Sequence, residues 1–335
     1  MDPLRIAVIG VGVMGQRHLE AFRRLPEAQL VAVMDVDGER ARQVADRYGV
    51  PAFTELEALL DEASPEAVCV CTPDWAHREP VLAAAARGIH VLVEKPLATT
   101  LEDADAIVSA AEEAGITLMV GHILRFDPRY AEARAAVASG EIGRLTYMYG
   151  RRHNLISSGL RFQGRTTVVN FLGVHDLDMM LWCAESPVEE VYAVGGRGAL
   201  ADLGVDDGVC ATLRFQNGAI GCLDVHWAMP PGAMLLDAEF KMIGTAGQVR
   251  IDGSFRAVQV ETERAARFPD AAYAPSSPWT AGALVAQDAH FVRCVRTGER
   301  PLIDGPAARR VVALAVAIHR SLETGTVVRP EALEA

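Results

Sequence analysis

Only two lysines, Lys95 and Lys241, stand among thirty-two basic residues, so nearly every position that needs only positive charge carries arginine. Arginine holds its proton throughout, whereas lysine serves as a compact point charge, a proton donor or a Schiff-base nucleophile. Lys95, in Val93-Glu94-Lys95-Pro96, is therefore a candidate for chemistry, while Lys241, inside the strand-like Glu239-Phe240-Lys241-Met242-Ile243, reads as a surface charge. A second constellation is Gly10-Val11-Gly12-Val13-Met14-Gly15, a G-x-G-x-x-G run between an apolar segment and a helical pattern. In such a run the first glycine (Gly10) permits a tight turn, the second (Gly12) lets a pyrophosphate approach the backbone, and the third (Gly15) lets helix and strand pack closely. Unpaired N–H groups of the helix start, with Val13 and Met14 in its first turn, then face the phosphates. Asp35 follows Gly15 by 35 − 15 = 20 residues. A carboxylate there accepts hydrogen bonds from adenosine ribose hydroxyls and repels a 2′-phosphate, which predicts NAD, with Arg40 leaving NADP possible.

These groups need a scaffold that brings strand ends together. From residue 4 to about 121 short β-rich runs (Leu4–Ile9, Leu30–Met34, Ala67–Cys71, His90–Val93, Thr117–Val120) alternate with segments of helical periodicity. That alternation predicts right-handed βαβ units and a parallel sheet covered on both faces. Thr54-Glu55-Leu56-Glu57 and Thr100-Leu101-Glu102-Asp103 resemble capping boxes. Thr72, Pro73 and His77 follow one predicted strand, and Glu94 and Lys95 follow another; both groups fall at the carboxyl edge, where open α/β sheets place ligands. Pro96 is a candidate cis proline, and His77 is expected either to touch the cofactor or to begin a helix.

Beyond residue 121 the pattern changes to a helix over about 127–139, strands near 144–152, a helix near 174–184 and strands between about 187 and 262. Turn signals such as Gln216-Asn217-Gly218 predict antiparallel neighbours. Ala274-Pro275-Ser276-Ser277-Pro278 reads as a loop, and helical patterns over about 282–297 and 305–322 follow. The expected fold is an α/β N-terminal Rossmann domain with a parallel sheet over 1–122, then an α+β domain with a large, mostly antiparallel open sheet over 123–335.

The 335 residues are half hydrophobic, ample for two cores, and the net charge of −12 repels phosphate backbones and anionic lipid surfaces. Neither nucleic acid nor membrane is an expected partner. The amino-terminal residues run straight into an apolar strand without a signal-like segment. The six cysteines show no paired metal spacing, and Cys69 and Cys71 look like small core residues, so no metal and a cytoplasmic location are expected.

Taken in order, the glycine run with His18, Thr72-Pro73 with His77, Glu94-Lys95-Pro96, Gly121-His122-Ile123-Leu124-Arg125-Phe126, Gly143 and Gly173-Val174-His175-Asp176-Leu177-Asp178 resemble the Gfo/Idh/MocA oxidoreductase family across nearly the whole chain. The resemblance implies NAD(P)-dependent oxidation or reduction at a secondary alcohol or carbonyl of a sugar, cyclitol or related polyol. It also implies Lys95 and His175 at the reacting hydroxyl, and a homodimer or homotetramer formed through the sheet of the second domain. The chemistry suits both residues. Alcohol oxidation gives a hydride to nicotinamide and releases a proton, so it needs a base and a positive group beside the developing alkoxide. Histidine, with an ordinary pKa near 6.5, suits the first role and lysine the second. His122, Arg125, Arg152, Asn154 and Asp176 are candidate substrate contacts, with His153 nearby. One position departs from the family pattern: four residues before His175, where relatives of this type carry aspartate, stands Phe171. Asn170 or Asp176 is then a candidate orienting partner. Two other readings use the same residues: a non-catalytic NAD-sensing regulator, and a lyase or glycosidase that oxidises transiently.

Overall fold

The computed structural model describes residues 2–233, 236–252, 257–262, 266–267 and 282–330. Its first half runs β1 (Leu4–Ile9), α1 (Val13–Phe22), β2 (Ala28–Met34), α2 (Gly38–Tyr48), β3 (Ala52–Phe53), a single turn α3 (Leu56–Ala58) continuing as a π-turn over Leu59–Ala63, β4 (Ala67–Val70), α4 (Arg78–Ala85), β5 (His90–Val93), α5 (Leu101–Glu113) and β6 (Leu118–Val120). The strands pair in parallel in the order β3-β2-β1-β4-β5-β6. The order reverses at β1, whose carboxyl end leads into the glycine run, so a crevice opens there between diverging connections. β4 is buried along its whole length, as an uninterrupted apolar run requires when helices cover both faces. Thr100 caps α5 as the spacing predicts, its Oγ1 accepting from the Asp103 N–H at 3.1 Å. Thr54 does not: Glu55 is the residue before α3, no side chain caps it, and the helix lasts one turn.

The second half runs α6 (Pro128–Ala138), β7 (Leu145–Leu155), α7 (Ile156–Phe162), a π-turn over Val169–Gly173, α8 (Val174–Ala184), β8 (Val188–Gly196), β9 (Gly208–Phe215), β10 (Ile220–Met229), β11 (Leu236–Gly244), β12 (Gly247–Asp252), β13 (Ala257–Thr262), β14 (Ala266–Arg267), α9 (Ala283–Thr297) and α10 (Gly305–Thr324). Its eight-stranded sheet has the order β14-β13-β12-β11-β7-β10-β9-β8, antiparallel except between β7 and β10. Gly218, at φ +85°, makes the predicted turn between β9 and β10. Burial alternates along β9 and β10, with Val209, Ala211, Leu213, Phe215, Leu223, Val225 and Trp227 facing the core. α8 lies against that face: a Cβ on Gly150 of β7 would stand 2.8 Å from the Asp176 Cβ, so only glycine admits this helix. The expected loop over Ala274–Pro278 lies outside the described residues.

The chain forms two compact units, Met1–Phe126 with Ala274–Arg309, and Asp127–Tyr273 with Arg310–Ala335. The division expected at 122/123 is linear; the units are not, because α9 belongs to the first. Phe291 and Val292 of α9 share one core with Ile6 and Val8 of β1 and Leu19 and Phe22 of α1. Among the described residues no helix is long and apolar enough to cross a membrane.

Candidate active site

The glycine run leaves β1 at Ile9 and enters α1 at Val13. Gly10 has φ +85°, and a Cβ there would lie 2.8 Å from the Cys71 carbonyl group and the Thr72 nitrogen, so both backbone conformation and space demand glycine. A Cβ on Gly15 would lie 2.0 Å from the Gly10 oxygen. At Gly12 it would meet no protein atom within 4 Å. Gly10 and Gly15 are thus fixed by packing and Gly12 is not, which fits a loop whose middle glycine stays clear for a pyrophosphate. Gly12 caps α1 without a side-chain bond and no acidic residue occupies the first turn, leaving the helix N-terminus open to an anion.

Asp35 stands just beyond β2, 6% exposed, and ties the loop down: its Oδ2 accepts from the Val11 N–H and its Oδ1 from the Asp37 N–H, each at 3.0 Å. Each carboxylate oxygen retains a lone pair for a ribose hydroxyl. Arg40 donates to Asp37 at 2.9 Å and lies 3.8 Å from Asp35, so its charge is already shared between two carboxylates. The residues present fit NAD.

The Lys95 turn follows β5 at the same edge. The Glu94 Oε2 accepts from the Lys95 N–H at 3.1 Å, and the Lys95–Pro96 peptide is cis. On the other side His77 is 1% exposed, with Nδ1 2.8 Å from the Pro96 oxygen and Nε2 3.0 Å from the Thr72 oxygen. Burial lowers the His77 pKa despite both carbonyl contacts. His77, the residue before α4, therefore begins that helix and lies buried between the two loops, its ring nitrogens facing one backbone carbonyl of each. Thr72 is half-buried, its hydroxyl donating to the Ala76 oxygen at 3.0 Å, and Pro73 is exposed. Glu94 is also interior, and its Oε1 lies 3.0 Å from Nε2 of the fully buried His18. His18 Nδ1 lies 3.0 Å from Asp288 of α9. Burial alone lowers the His18 pKa, but Asp288, Cys71 and Glu94 outweigh it and hold the ring well above its ordinary value. Burial raises Glu94, and the hydrogen bond and charge of His18, with Lys95, bring it below the ordinary range.

His122 and Arg125 follow β6 and are interior, 1% and 8% exposed; Arg125 Nη1 donates to the Leu302 oxygen at 2.8 Å. In the second unit Arg152 and Asp176, both expected at substrate, hold each other in a buried two-point ion pair at 2.8 and 3.0 Å, with Arg152 Nη2 3.3 Å from the Tyr130 hydroxyl. Burial lowers the Arg152 pKa, but Asp176 and Tyr130 outweigh it and raise it. Both Asp176 oxygens are engaged there, so the carboxylate is a strut between α8 and β7. Asn154 accepts from the Leu155 N–H at 2.7 Å, and His153 pairs with Asp224 at 3.0 Å. His175 is half-buried in the first turn of α8. Phe171 packs into an aromatic cluster, 4.8 Å from Phe162 and 6.1 Å from Trp227 between ring centres, with Arg161 5.7 Å from its ring centre. Its aromatic neighbours explain an apolar residue at the position where aspartate was expected.

Asp288 is the group that sequence reasoning missed. A signal existed: Leu284, Asp288 and Phe291 share one stripe of α9, and a carboxylate amid apolar neighbours needs a partner. Among the described residues one group, His18 with Cys69 and Cys71, brings potential metal-ligand atoms within 4.8 Å of one another. Both His18 nitrogens already face carboxylates at 3.0 Å, so the ring has no lone pair to offer while it bridges them.

Residues 4–122 match the family model described as an oxidoreductase family with an NAD-binding Rossmann fold, and residues 130–250 match the GFO/IDH/MocA C-terminal domain. The chain is 29% identical over 328 residues to myo-inositol 2-dehydrogenase of Thermotoga maritima, covering 96% of each protein. It is 32% identical over 255 residues to inositol 2-dehydrogenase of Rubrobacter xylanophilus, covering 75% of this chain and 72% of that one. A solved structure of an Agrobacterium radiobacter oxidoreductase, in complex with NAD+, L-tartaric acid and magnesium, superposes with a TM-score of 0.89 at 25% identity over 98% of this chain and 99% of that one. The glycine loop, the sheet order and these likenesses converge, and the chain belongs to the Gfo/Idh/MocA family of NAD-dependent oxidoreductases.

Proposed function

We propose that the protein interconverts a secondary alcohol and a carbonyl on a cyclitol, sugar or related polyol, with Lys95 at the reacting oxygen and His175 carrying the proton. The observation that supports this most is the Lys95 turn, gripped through its backbone by Glu94 and His77 at the strand edge that bears the glycine loop. Bound NAD supplies the hydride acceptor or donor. The Lys95 ammonium steadies negative charge on the substrate oxygen as the hydroxyl loses its proton, and the His175 imidazole takes that proton. The inositol names of the relatives favour a cyclitol over a simple alcohol. Arg152 and Asp176 serve this site as a buried strut; Asn154, half-buried on β7, is assigned to the polyol, whereas His122 and Arg125 are interior and support the turn after β6.

The open face of the eight-stranded sheet carries Tyr192, Val194 and Ile220 at 41, 53 and 48% exposure, which supports assembly of copies of the chain through that sheet. All six cysteines are free thiols, which supports a reducing compartment such as the cytoplasm. A panel of inositols, sugars and polyols assayed with NAD, following NADH and product separately, tests the activity. Stoichiometric NADH and ketone are expected. Tight NADH binding with no turnover would instead indicate a sensor, and product without net NADH a transient oxidation.

A further inference from the structure

We propose that His18, doubly protonated between Asp288 and Glu94, is a positioning residue for Lys95, holding the Glu94 carboxylate that in turn holds the Lys95 backbone. This rests on the assignment of Lys95 as the reacting-site lysine.

The geometry is a continuous buried line. Asp288 on α9 meets Nδ1 of His18 with both oxygens at 3.0 Å; Nε2 of His18 meets the Glu94 Oε1 at 3.0 Å; the other Glu94 oxygen accepts from the Lys95 N–H at 3.1 Å. His18 and Asp288 are wholly inaccessible and Glu94 is 7% exposed. A neutral imidazole donates through one nitrogen only and would turn a lone pair toward one carboxylate, a repulsion that a buried site strengthens. An imidazolium donates to both and compensates the charges flanking it. The groups that face it are Asp288 from α9, Glu94 from the end of β5 and Cys71 from the end of β4, with Lys95 beyond Glu94 and the neutral Cys69 thiol alongside Cys71. The same line has a second consequence: Glu94 is pinned on both oxygens, so the turn it grips has one available geometry. A Cβ on Gly121 would lie 3.2 Å from the Glu94 Oε1, so the wall behind the carboxylate is closed as well.

The test uses the whole protein with selectively 15N-labelled histidine, NADH fluorescence and turnover on the substrate found in the panel. His18, identified by the signals lost in His18→Asn, is expected to show protons on both ring nitrogens at pH 7. His18→Asn should lower kcat roughly tenfold while the NADH Kd and the substrate KM stay within about threefold. If His18 acts through Glu94, the double variant His18→Asn/Glu94→Ala should match Glu94→Ala alone within about twofold. A merely structural role would move KM, Kd and kcat together, and independent roles would multiply. A single ring proton on His18 at pH 7, unchanged kcat in a folded His18→Asn, or multiplying effects each overturn the proposal. The wild-type spectrum decides the first point even where a variant fails to fold. Lys95→Ala with undiminished turnover would instead remove the assignment of Lys95, a failure of a different premise.

Discussion

Replacing Gly12 and Gly15 separately by alanine distinguishes a glycine kept clear for a ligand from a glycine required by packing. At Gly12 the added Cβ meets nothing within 4 Å, and the backbone, at φ −67° and ψ −155°, is extended and open to alanine. The folded apoprotein should therefore keep its stability to within about 0.5 kcal/mol, the range of a neutral surface change. If the pyrophosphate lies over this residue, the methyl group pushes it off the helix N-terminus. Loss of one charge-assisted hydrogen bond, about 1.5–3 kcal/mol, weakens NADH binding roughly 10- to 100-fold. At Gly15 the Cβ would stand 2.0 Å from the Gly10 oxygen, so β1 and α1 must separate. Overpacking of that kind costs about 1–3 kcal/mol and lowers Tm by several degrees before any ligand is added. Fluorescence titration with NADH and thermal unfolding of the apoprotein measure the two quantities. An unchanged NADH affinity in Gly12→Ala, or equal loss of Tm in both variants, would refute the reasoning.

Lys95→Ala should leave NADH affinity within a few-fold but lower kcat by about 10²-fold or more, as removal of a positioned charge at a developing alkoxide does; steady-state kinetics on the panel substrate decide this. Asp35→Ala should narrow the preference for NAD over NADP, because it removes the ribose acceptor and releases Arg40 toward a 2′-phosphate; an unchanged ratio of kcat/KM for the two cofactors would exclude Asp35 as the ribose reader. Asp176→Asn should destabilise the protein by about 3–5 kcal/mol, since Arg152 would be left charged and buried, and denaturant titration would show it. The raised His18 pKa gives a stability contribution that is full below the unfolded value near 6.5 and is lost as pH rises through the folded value. Thermal unfolding of the wild type should thus decline toward alkaline pH more steeply than that of His18→Asn, and parallel curves would contradict the link.

Five of the six strands of the first unit were legible as short β-rich runs, β4 being buried throughout, whereas the two-residue β3, partly exposed, gave no run to follow; the glycine run was legible because its residues answer to local geometry. α8 was legible from periodicity, though not the π-turn before it, and α7, rich in serine and glycine, gave no apolar stripe to follow. Asp176 shows the limit most clearly. Beside His175 in sequence it reads as a catalytic partner, but consecutive helical residues point about 100° apart, and Asp176 turns to Arg152 on β7. His77 and Glu94 were placed correctly at the strand edge, yet whether a side chain lines a ligand or braces the loop from below depends on which way it points.

By itself the sequence determined the nucleotide-binding half, since strand, glycine turn, helix and the Asp35 carboxylate at the end of the second strand are encoded within some 35 consecutive residues. It also determined the rarity of lysine that singles out Lys95. Only the tertiary structure decided that α9 returns to the first unit and carries Asp288 to His18 across 270 positions of sequence. The physical reason is that an apolar stripe specifies burial but not a partner. A buried charge finds its counter-charge through the packing of the whole core, which no local spacing records.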